Sequence, residues 1–327
     1  MARPVFHLTR RHGVLALQTA VTIALLWLVF RAFDWRAFAA VIRGVPPLFF
    51  IAAFLAVVAG QLLYAWRWQV VLAGMGFHLP YREVLRQYLM GLFFGNLMPT
   101  AVGGDAAKVY YLGRKIGYVE VGASVFVDRF LGFLWLSVFG AGLAWAVGAP
   151  SAILALNRNL LTALAAVFVT VLALLWMFPV ERLIPSWSKS GALGGVTMRL
   201  EQFGRHVRDG GCRVPTLAVA GLVVISYITL LAFAYREYFA AAGVVPSFFE
   251  VMNALISMSV FVNLPISVNG IGLREQLHYL LFESVGVPKE VSVSLALLFF
   301  GYQLAVSMAG YLVWMRLQPE MATPPRV

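Results

Sequence analysis

Residues 93–108 read FFGNLMPTAVGGDAAK, and residues 260–275 read VFVNLPISVNGIGLRE. Each stretch lies in an apolar segment and combines an Asn-Leu pair, a proline, at least two glycines and charged residues. Proline removes a backbone hydrogen bond from a helix, and glycine permits conformations that other residues avoid. The surrounding segments, 84–112 and 251–282, are therefore predicted to be Pro/Gly-broken hydrophobic segments rather than simple spans.

The two motifs are the centre of an internal repeat with an offset near 167 residues and one residue of slippage at the proline. Flanking landmarks keep the same order in both halves: Arg67 with Arg236, Gly74 with Gly243, Glu83 with Glu250, Glu120 with Glu290, and Ser124 with Ser294. Chance can supply one such match between apolar segments, but not easily an ordered series. The sequence therefore predicts two repeat units, residues 48–148 and 214–315.

The composition places these units in a membrane. Hydrophobic residues make up 61% of the 327 residues and charged residues only 12%, whereas soluble domains are nearer a quarter charged. A helix needs about 20 apolar residues to cross a bilayer. The predicted fold class is an all-α polytopic membrane protein, with residues 1–327 as a single integral membrane domain. The six predicted full spans are residues 13–31, 48–66, 120–148, 160–178, 214–236 and 290–315.

Basic residues set the predicted orientation, because cytoplasmic loops of membrane proteins are enriched in Lys and Arg. We expect both termini and the basic loop 179–213 in the cytoplasm, with the protein in the bacterial cytoplasmic (inner) membrane. The loop 32–46 then faces outward, and the two units, joined by span 160–178, have opposite orientations. Inverted repeats with broken helices near the midplane are a common transporter plan. Whether the broken segments are re-entrant or crossing stays open.

The basic loop also contains apolar residues at helical spacing. This pattern favours either a short helix in the headgroup plane or an ordinary solvated linker. The apolar positions are Leu193, Val196, Leu200, Phe203 and Val207.

Several classes of function are disfavoured. The formal charge of +11 is carried mainly by short segments between apolar runs, which indicates orientation in a membrane rather than nucleic-acid binding. The single cysteine, Cys212, excludes an internal disulfide framework or a Cys-based zinc cluster. The five histidines lack metal-ligand spacing, and no P-loop, Rossmann fingerprint or serine-hydrolase elbow is present. We expect neither a metal nor a cofactor.

Ionisable groups near the breaks are the candidate site, because charges at membrane depth face a cavity or a partner. Close opposite charges also permit a structural role in which they only compensate one another. The functional interpretation is that Lys108, Arg129 and Arg274 face a phosphate, together with backbone N–H groups of the breaks. The candidate substrate-binding residues are Asp105, Lys108, Asp128, Arg129, Arg274 and Glu275. The candidate site backbone and helix breaks are Asn96, Pro99, Gly103, Gly104, Asn263, Pro265, Ser267, Gly270 and Gly272.

These motifs resemble the flippase-like transmembrane domain of the lysylphosphatidylglycerol synthase family, also called UPF0104. The resemblance covers about residues 15–315 and rests on NLMP at 96–99, GGDAAK at 103–108, ASV at 123–125 and the Asp128-Arg129 pair. The second half resembles the family's Pro-x-Ser-x-x-Gly-x-Gly-x-Arg-Glu pattern from position 265 to 275. Lys108 stands where the family generally has Arg, and Asn269 where Gly is frequent. The chain ends soon after Arg316, so the resemblance implies lipid handling without the soluble synthase domain.

The resemblance and the predicted repeat favour a lipid translocase that moves an anionic, aminoacylated or other phosphate-bearing lipid between leaflets. Membrane lipids are the expected partners; a homo-oligomer and a separately encoded synthase stay open. A secondary transporter of a small soluble anion fits the same repeat. A membrane enzyme of phospholipid or polyprenyl-phosphate metabolism, with Asp105 or Glu275 as base, or a non-transporting partner subunit are further alternatives. Because no catalytic constellation is visible, we do not expect an enzyme.

Overall fold

The computed structural model describes residues 34–97, 103–178, 194–263, 267 and 270–321, and also residues 20, 23, 24 and 27. In these parts the chain forms eleven α-helices and no β-strand. The helices are α1 (Trp35–Gly44), α2 (Pro47–Gly74), α3 (Tyr81–Leu97), α4 (Gly103–Ile116), α5 (Tyr118–Val147), α6 (Ala152–Met177), α7 (Gly194–Gly211), α8 (Val214–Ala241), α9 (Phe248–Phe261), α10 (Leu273–Glu283) and α11 (Lys289–Met321).

Five of these helices are long and apolar enough to cross a membrane: α2, α5, α6, α8 and residues 289–316 of α11. Each overlaps one of the predicted full spans, which confirms an all-helical membrane protein. The remaining predicted span, 13–31, lies almost entirely outside the described residues.

Two predicted loops contain more helix than expected. Part of the loop 32–46 forms α1, and α6 begins at Ala152 instead of near residue 160. The polar residues that ended the apolar run are accommodated by partners: Asn157 is buried and donates to Asn253 at 3.1 Å. The Arg158 guanidinium lies over the Trp145 ring at 4.1 Å. The helix start is capped locally by the Ser151 hydroxyl, which accepts from the Leu154 N–H at 3.2 Å, and tertiary partners accommodate the polar residues that follow.

The first broken segment is an antiparallel helical hairpin made of α3 and α4. Near the break, a Cβ on Gly95 would lie 3.5 Å from Cα of Gly104. At the far end of the hairpin, Lys115 Nζ lies 2.6 Å from Glu83 Oε1. The two ends of this segment therefore lie together, and the break lies at the opposite end.

The second broken segment, α9 and α10, folds back in the same way. Val262 at the end of α9 contacts Gly270, whose φ of +73° lies in the left-handed region that favours glycine. At the other end, Glu250 and Ala254 of α9 line a small void together with Leu281 of α10. Both units therefore have the order long helix, hairpin, long helix.

The helices of the two units pack against one another in a reciprocal way. Helix α2 packs against its counterpart α8, while α3 packs against α11 and α9 packs against α5. Each hairpin thus leans on the last long helix of the other unit. The ends of α2 and α8 are also alike: the N–H of Phe77 donates to Leu72 O, and the N–H of Val244 donates to Phe239 O, both at 2.9 Å.

These matching turns refine one of the predicted landmarks. Gly76 and Gly243, which are 167 residues apart, both have positive φ, of +95° and +79°. Gly243 therefore corresponds to Gly76 and not to Gly74, the partner that the sequence suggested. Gly74 is the last residue of α2, where its missing side chain leaves room for Thr216, whose Oγ1 would be 3.1 Å from an added Cβ.

The basic loop contains the helix α7. Phe203 and Val207 pack into a cluster with Met75 and Val127. Val196 and Leu200 stay exposed. One part of the predicted apolar stripe thus anchors α7 to the bundle, and its position in the headgroup plane stays a prediction.

Candidate functional site

A cavity of about 360 Å³ lies between the two units and is lined by both hairpins and by α2, α5, α8 and α11. Most of the described residues that were predicted for the site line this cavity. These lining residues are Asn96, Gly104, Asp105, Lys108, Asp128, Arg129, Asn263, Ser267, Gly270 and Arg274.

The remaining candidates are placed elsewhere. Glu275 is only 1% exposed and does not line the cavity; its carboxylate accepts a hydrogen bond from the Gly272 N–H at 2.7 Å. That contact satisfies a free backbone donor at the start of α10. Gly103 and Gly272 lie beside the cavity without lining it. Pro99 and Pro265 lie outside the described residues.

Asp128 forms a buried, two-point ion pair with Arg67. Arg67 Nε and Nη2 donate to the two carboxylate oxygens at 2.7 and 3.0 Å, and both side chains are less than 10% exposed. The Arg67 guanidinium also lies 4.9 Å from the centroid of the Tyr64 ring. Arg67 was predicted only as a landmark of the repeat, because the predicted span 48–66 ended one residue before it.

Asp105 is shared between two cations. Lys108 Nζ lies 3.6 Å from Oδ1 of Asp105, and Arg129 Nε and Nη2 donate to its carboxylate at 3.1 and 3.3 Å. Arg129 also reaches the second hairpin, where Nη1 lies 3.5 Å from Asn263 Oδ1. The broken ends of both hairpins therefore meet at Arg129.

Arg274 differs from these cations because it forms no ion pair with a described carboxylate. Its guanidinium lies over the Phe300 ring at 4.5 Å. Its Nη1 is buried without a hydrogen-bond partner, and so is the hydroxyl of Ser267, which lines the same cavity. Buried polar groups are usually satisfied, so these two side chains are suited to a ligand with acceptor oxygens.

His278 holds the Arg274 backbone in place. Its Nδ1 lies 2.8 Å from the carbonyl oxygen of Arg274, which can only accept, so Nδ1 carries the proton. Nε2 of the neutral ring is then the acceptor for the Tyr235 hydroxyl at 2.9 Å. The part of the chain that the structure describes shows no group of His, Cys, Asp or Glu suited to a metal.

The charged residues that line the cavity do not balance. Four cations face two carboxylates, an excess of two positive charges among the described lining residues. The neighbouring stretches 98–102, 264–266, 268 and 269 contain no ionisable residue. The cations are Arg67, Lys108, Arg129 and Arg274, and the carboxylates are Asp105 and Asp128. The described lining of the cavity therefore carries a net positive charge.

Comparison with known proteins assigns the family. Residues 15–310 match the family described as the lysylphosphatidylglycerol synthase TM region. The chain belongs to this family.

Two curated relatives are archaeal UPF0104 membrane proteins. The protein from Pyrococcus horikoshii is 24% identical over 288 residues, which cover 81% of this chain and 86% of the relative. The protein from Methanocaldococcus jannaschii is 28% identical over 109 residues, only 31% of this chain and 32% of the relative. No solved structure matches the chain.

Proposed function

We propose that this member of the lysylphosphatidylglycerol synthase TM region family is a lipid translocase that moves a phosphate-bearing anionic lipid between leaflets. The observation that carries the proposal is the buried Nη1 of Arg274, which has no hydrogen-bond partner among the described residues, in a cavity with excess positive charge. A buried charge without a partner is costly. A phosphate oxygen would supply that partner, because guanidinium groups match phosphate geometry.

The lining supports a lipid as the source of the phosphate. Apolar side chains, among them Leu136, Leu231 and Phe299, share the wall with the charged groups. Such a wall can contact the glycerol and acyl region while the guanidinium contacts the headgroup. The Arg129 side chain lines the cavity and is 45% exposed, so a headgroup in the cavity could contact it.

The hairpins support movement between leaflets. If both are re-entrant, three full spans separate the start of α2 from the start of α8, and the two units then have opposite orientations. In inverted repeats, two similar halves rock around a fixed site and expose it alternately to each side. The exchange packing of α3 on α11 and α9 on α5 fits this arrangement.

The test is leaflet exchange in proteoliposomes with phosphatidylglycerol labelled on its acyl chain, followed by bleaching of the outer leaflet with an impermeant reductant. We expect protein-dependent exchange that falls at least about ten-fold in Arg274→Ala, the loss expected when a charged contact is removed. Arg114→Ala is the matched control, because Arg114 is exposed and contacts Tyr110 away from the cavity.

A second arm separates the lipid from a free anion. The same proteoliposomes are tested for uptake of labelled glycerol 3-phosphate, which has the phosphate without acyl chains. Uptake without lipid exchange would replace the proposal with a transporter of a soluble anion. Exchange that is equal in the wild type and in Arg274→Ala would remove the role given to Arg274.

A further inference from the structure

The cavity has no unpaired carboxylate for a cationic headgroup among the residues that the structure describes. Only two carboxylates line it, and both are occupied: Asp128 by Arg67, and Asp105 by Lys108 and Arg129. Glu275, the carboxylate next to Arg274 in sequence, is outside the lining and caps α10. An ammonium group that enters the cavity would therefore compete with the protein's own cations.

Aromatic rings are the other common partners of an ammonium group, and several of these are also occupied. Arg67 lies over Tyr64 at 4.9 Å, and Lys108 lies over Tyr88 at 4.7 Å. Arg274 lies over the Phe300 ring. Three of the aromatic rings that line the cavity thus face cations of the protein's own side chains.

The undescribed segments near the breaks add no acceptor of either kind. Residues 98–102, 264–266, 268 and 269 contain neither an acidic nor an aromatic residue. Residues 1–33 also contain no Asp or Glu. The excess of positive charge in the cavity is therefore not offset by a carboxylate from these parts of the chain.

From these contacts we infer that the translocated lipid bears an anionic phosphate and no ammonium group, so that aminoacylated and zwitterionic lipids are poor substrates. This inference rests on the proposed function and narrows it. An anionic headgroup such as that of phosphatidylglycerol gains the Arg274 contact and reduces the excess charge. A lysyl headgroup brings additional positive charge and finds the carboxylates already paired.

The experiment compares exchange rates of three acyl-labelled lipids in the same proteoliposomes: phosphatidylglycerol, its lysyl form and phosphatidylethanolamine. For the wild type we expect phosphatidylglycerol to exchange at least about ten-fold faster than either of the others, equivalent to about 1.4 kcal/mol. The variant Gln303→Glu adds a carboxylate to the wall, one turn beyond Phe300. It should narrow the ratio of phosphatidylglycerol to lysyl lipid.

Gln303→Leu is the matched control, because it removes the same amide without adding charge and should leave the ratio unchanged. Equal or faster exchange of the lysyl lipid by the wild type would overturn the inference while leaving a lipid translocase in place. An unchanged ratio in folded Gln303→Glu would overturn the explanation by charge. The protein's elution and its unfolding transition show whether it is folded. If folded protein exchanges none of the three lipids, the proposed function is overturned.

Discussion

The two repeat units have the same order of helices but differ in how their charged side chains are paired. In the first unit Arg67 is paired with Asp128, and Lys108 and Arg129 share Asp105. The second unit contributes Arg274, whose Nη1 has no hydrogen-bond partner in the described parts of the chain. The first unit therefore contributes a charge network that is mostly compensated, whereas the second contributes the cation that a ligand can pair.

The shared plan extends to small structural details. In the first unit the Trp68 indole donates to the Ser124 hydroxyl at 3.1 Å, and that hydroxyl donates to Val121 O. In the second unit Ser294 lies 2.6 Å from the Tyr238 hydroxyl. Such contacts hold the helices at similar positions in both halves. What distinguishes the two halves is thus the pairing of their charged side chains.

The largest effect on stability is expected where the first unit's charge pair is broken. Asp128→Asn leaves the buried Arg67 guanidinium without a compensating charge. Removal of one partner from a buried pair typically costs about 3–5 kcal/mol. We expect a large fall in the unfolding temperature of the detergent-solubilised protein, measured by intrinsic fluorescence.

Two further variants test whether this loss of stability is specific to the buried ion pair. Glu83→Gln breaks the pair with Lys115, whose side chain is 58% exposed, and should cost no more than about 1 kcal/mol. Arg274→Met removes an unpaired cation and should leave the unfolding temperature unchanged or higher while lipid exchange is lost. A loss of stability in Arg274→Met as large as in Asp128→Asn would erase the distinction between the two units.

An intermediate effect is expected at the equivalent glycines of α5 and α11. A Cβ on Gly310 would collide with the backbone of Leu89, whereas a Cβ on Gly140 would meet side-chain atoms of Ile256 at 2.6 Å and Leu161 at 3.0 Å. Backbone yields less readily than a side chain, so Gly310→Ala should destabilise more than Gly140→Ala. Overpacking typically costs about 1–3 kcal/mol.

The control for this pair is Gly301→Ala, because a Cβ there meets nothing within 4 Å. It should leave the unfolding temperature unchanged or slightly raised, since alanine is the better helix former. Equal unfolding temperatures for Gly310→Ala and Gly140→Ala would show that the rigidity of the neighbouring atoms does not determine how much the added methyl group destabilises the protein.

The architecture was largely accessible from the sequence. The apolar runs, together with the Pro/Gly motifs near Asn96 and Asn263, indicated the long helices and the two broken segments. The ends of the helices could be predicted less well, because polar residues that interrupt an apolar run can be satisfied by partners distant in sequence. In α6, for example, the buried Asn157 is satisfied by Asn253, which is 96 positions away.

Most of the charged residues that line the cavity could be predicted from the sequence, but the ion pairs between them could not. Charges beside the breaks pointed to Asp105 and Arg274, yet Asp128 pairs with Arg67, 61 residues away. The available signal was an arginine at the end of one span and an aspartate in another, since opposite charges in spans tend to pair. Glu275 shows the opposite case: its carboxylate caps α10 outside the cavity lining, which a charge beside the break did not reveal, and a contact with a ligand stays a prediction.

A smaller effect is expected at Glu275, and it tests that assignment. Glu275→Ala leaves the Gly272 N–H without its acceptor, and loss of a cap costs about 1 kcal/mol. Exchange of phosphatidylglycerol per folded molecule should remain near the wild-type rate, unlike in Arg274→Ala. Loss of exchange without loss of stability would return Glu275 to the substrate site.

The smallest perturbation tests whether the units are inverted, and it leaves the fold untouched. Cys212, the chain's single cysteine, precedes α8, and Arg36 is exposed on α1 just before α2. If the units are inverted, these positions lie on opposite sides of the membrane. In intact cells an impermeant maleimide should label Arg36→Cys in a Cys212→Ser background, whereas native Cys212 should react only after the membrane is opened.

The labelling of Cys212 should also depend on pH. Burial raises the pKa of the Cys212 thiol, and the thiolate is the reactive form. After the membrane is opened, its labelling rate should therefore be lower than that of the cysteine at position 36 near neutral pH and should rise with pH. Labelling of both positions from the same side would give the two units the same orientation, and alternating exposure by exchange of inverted halves could then not operate.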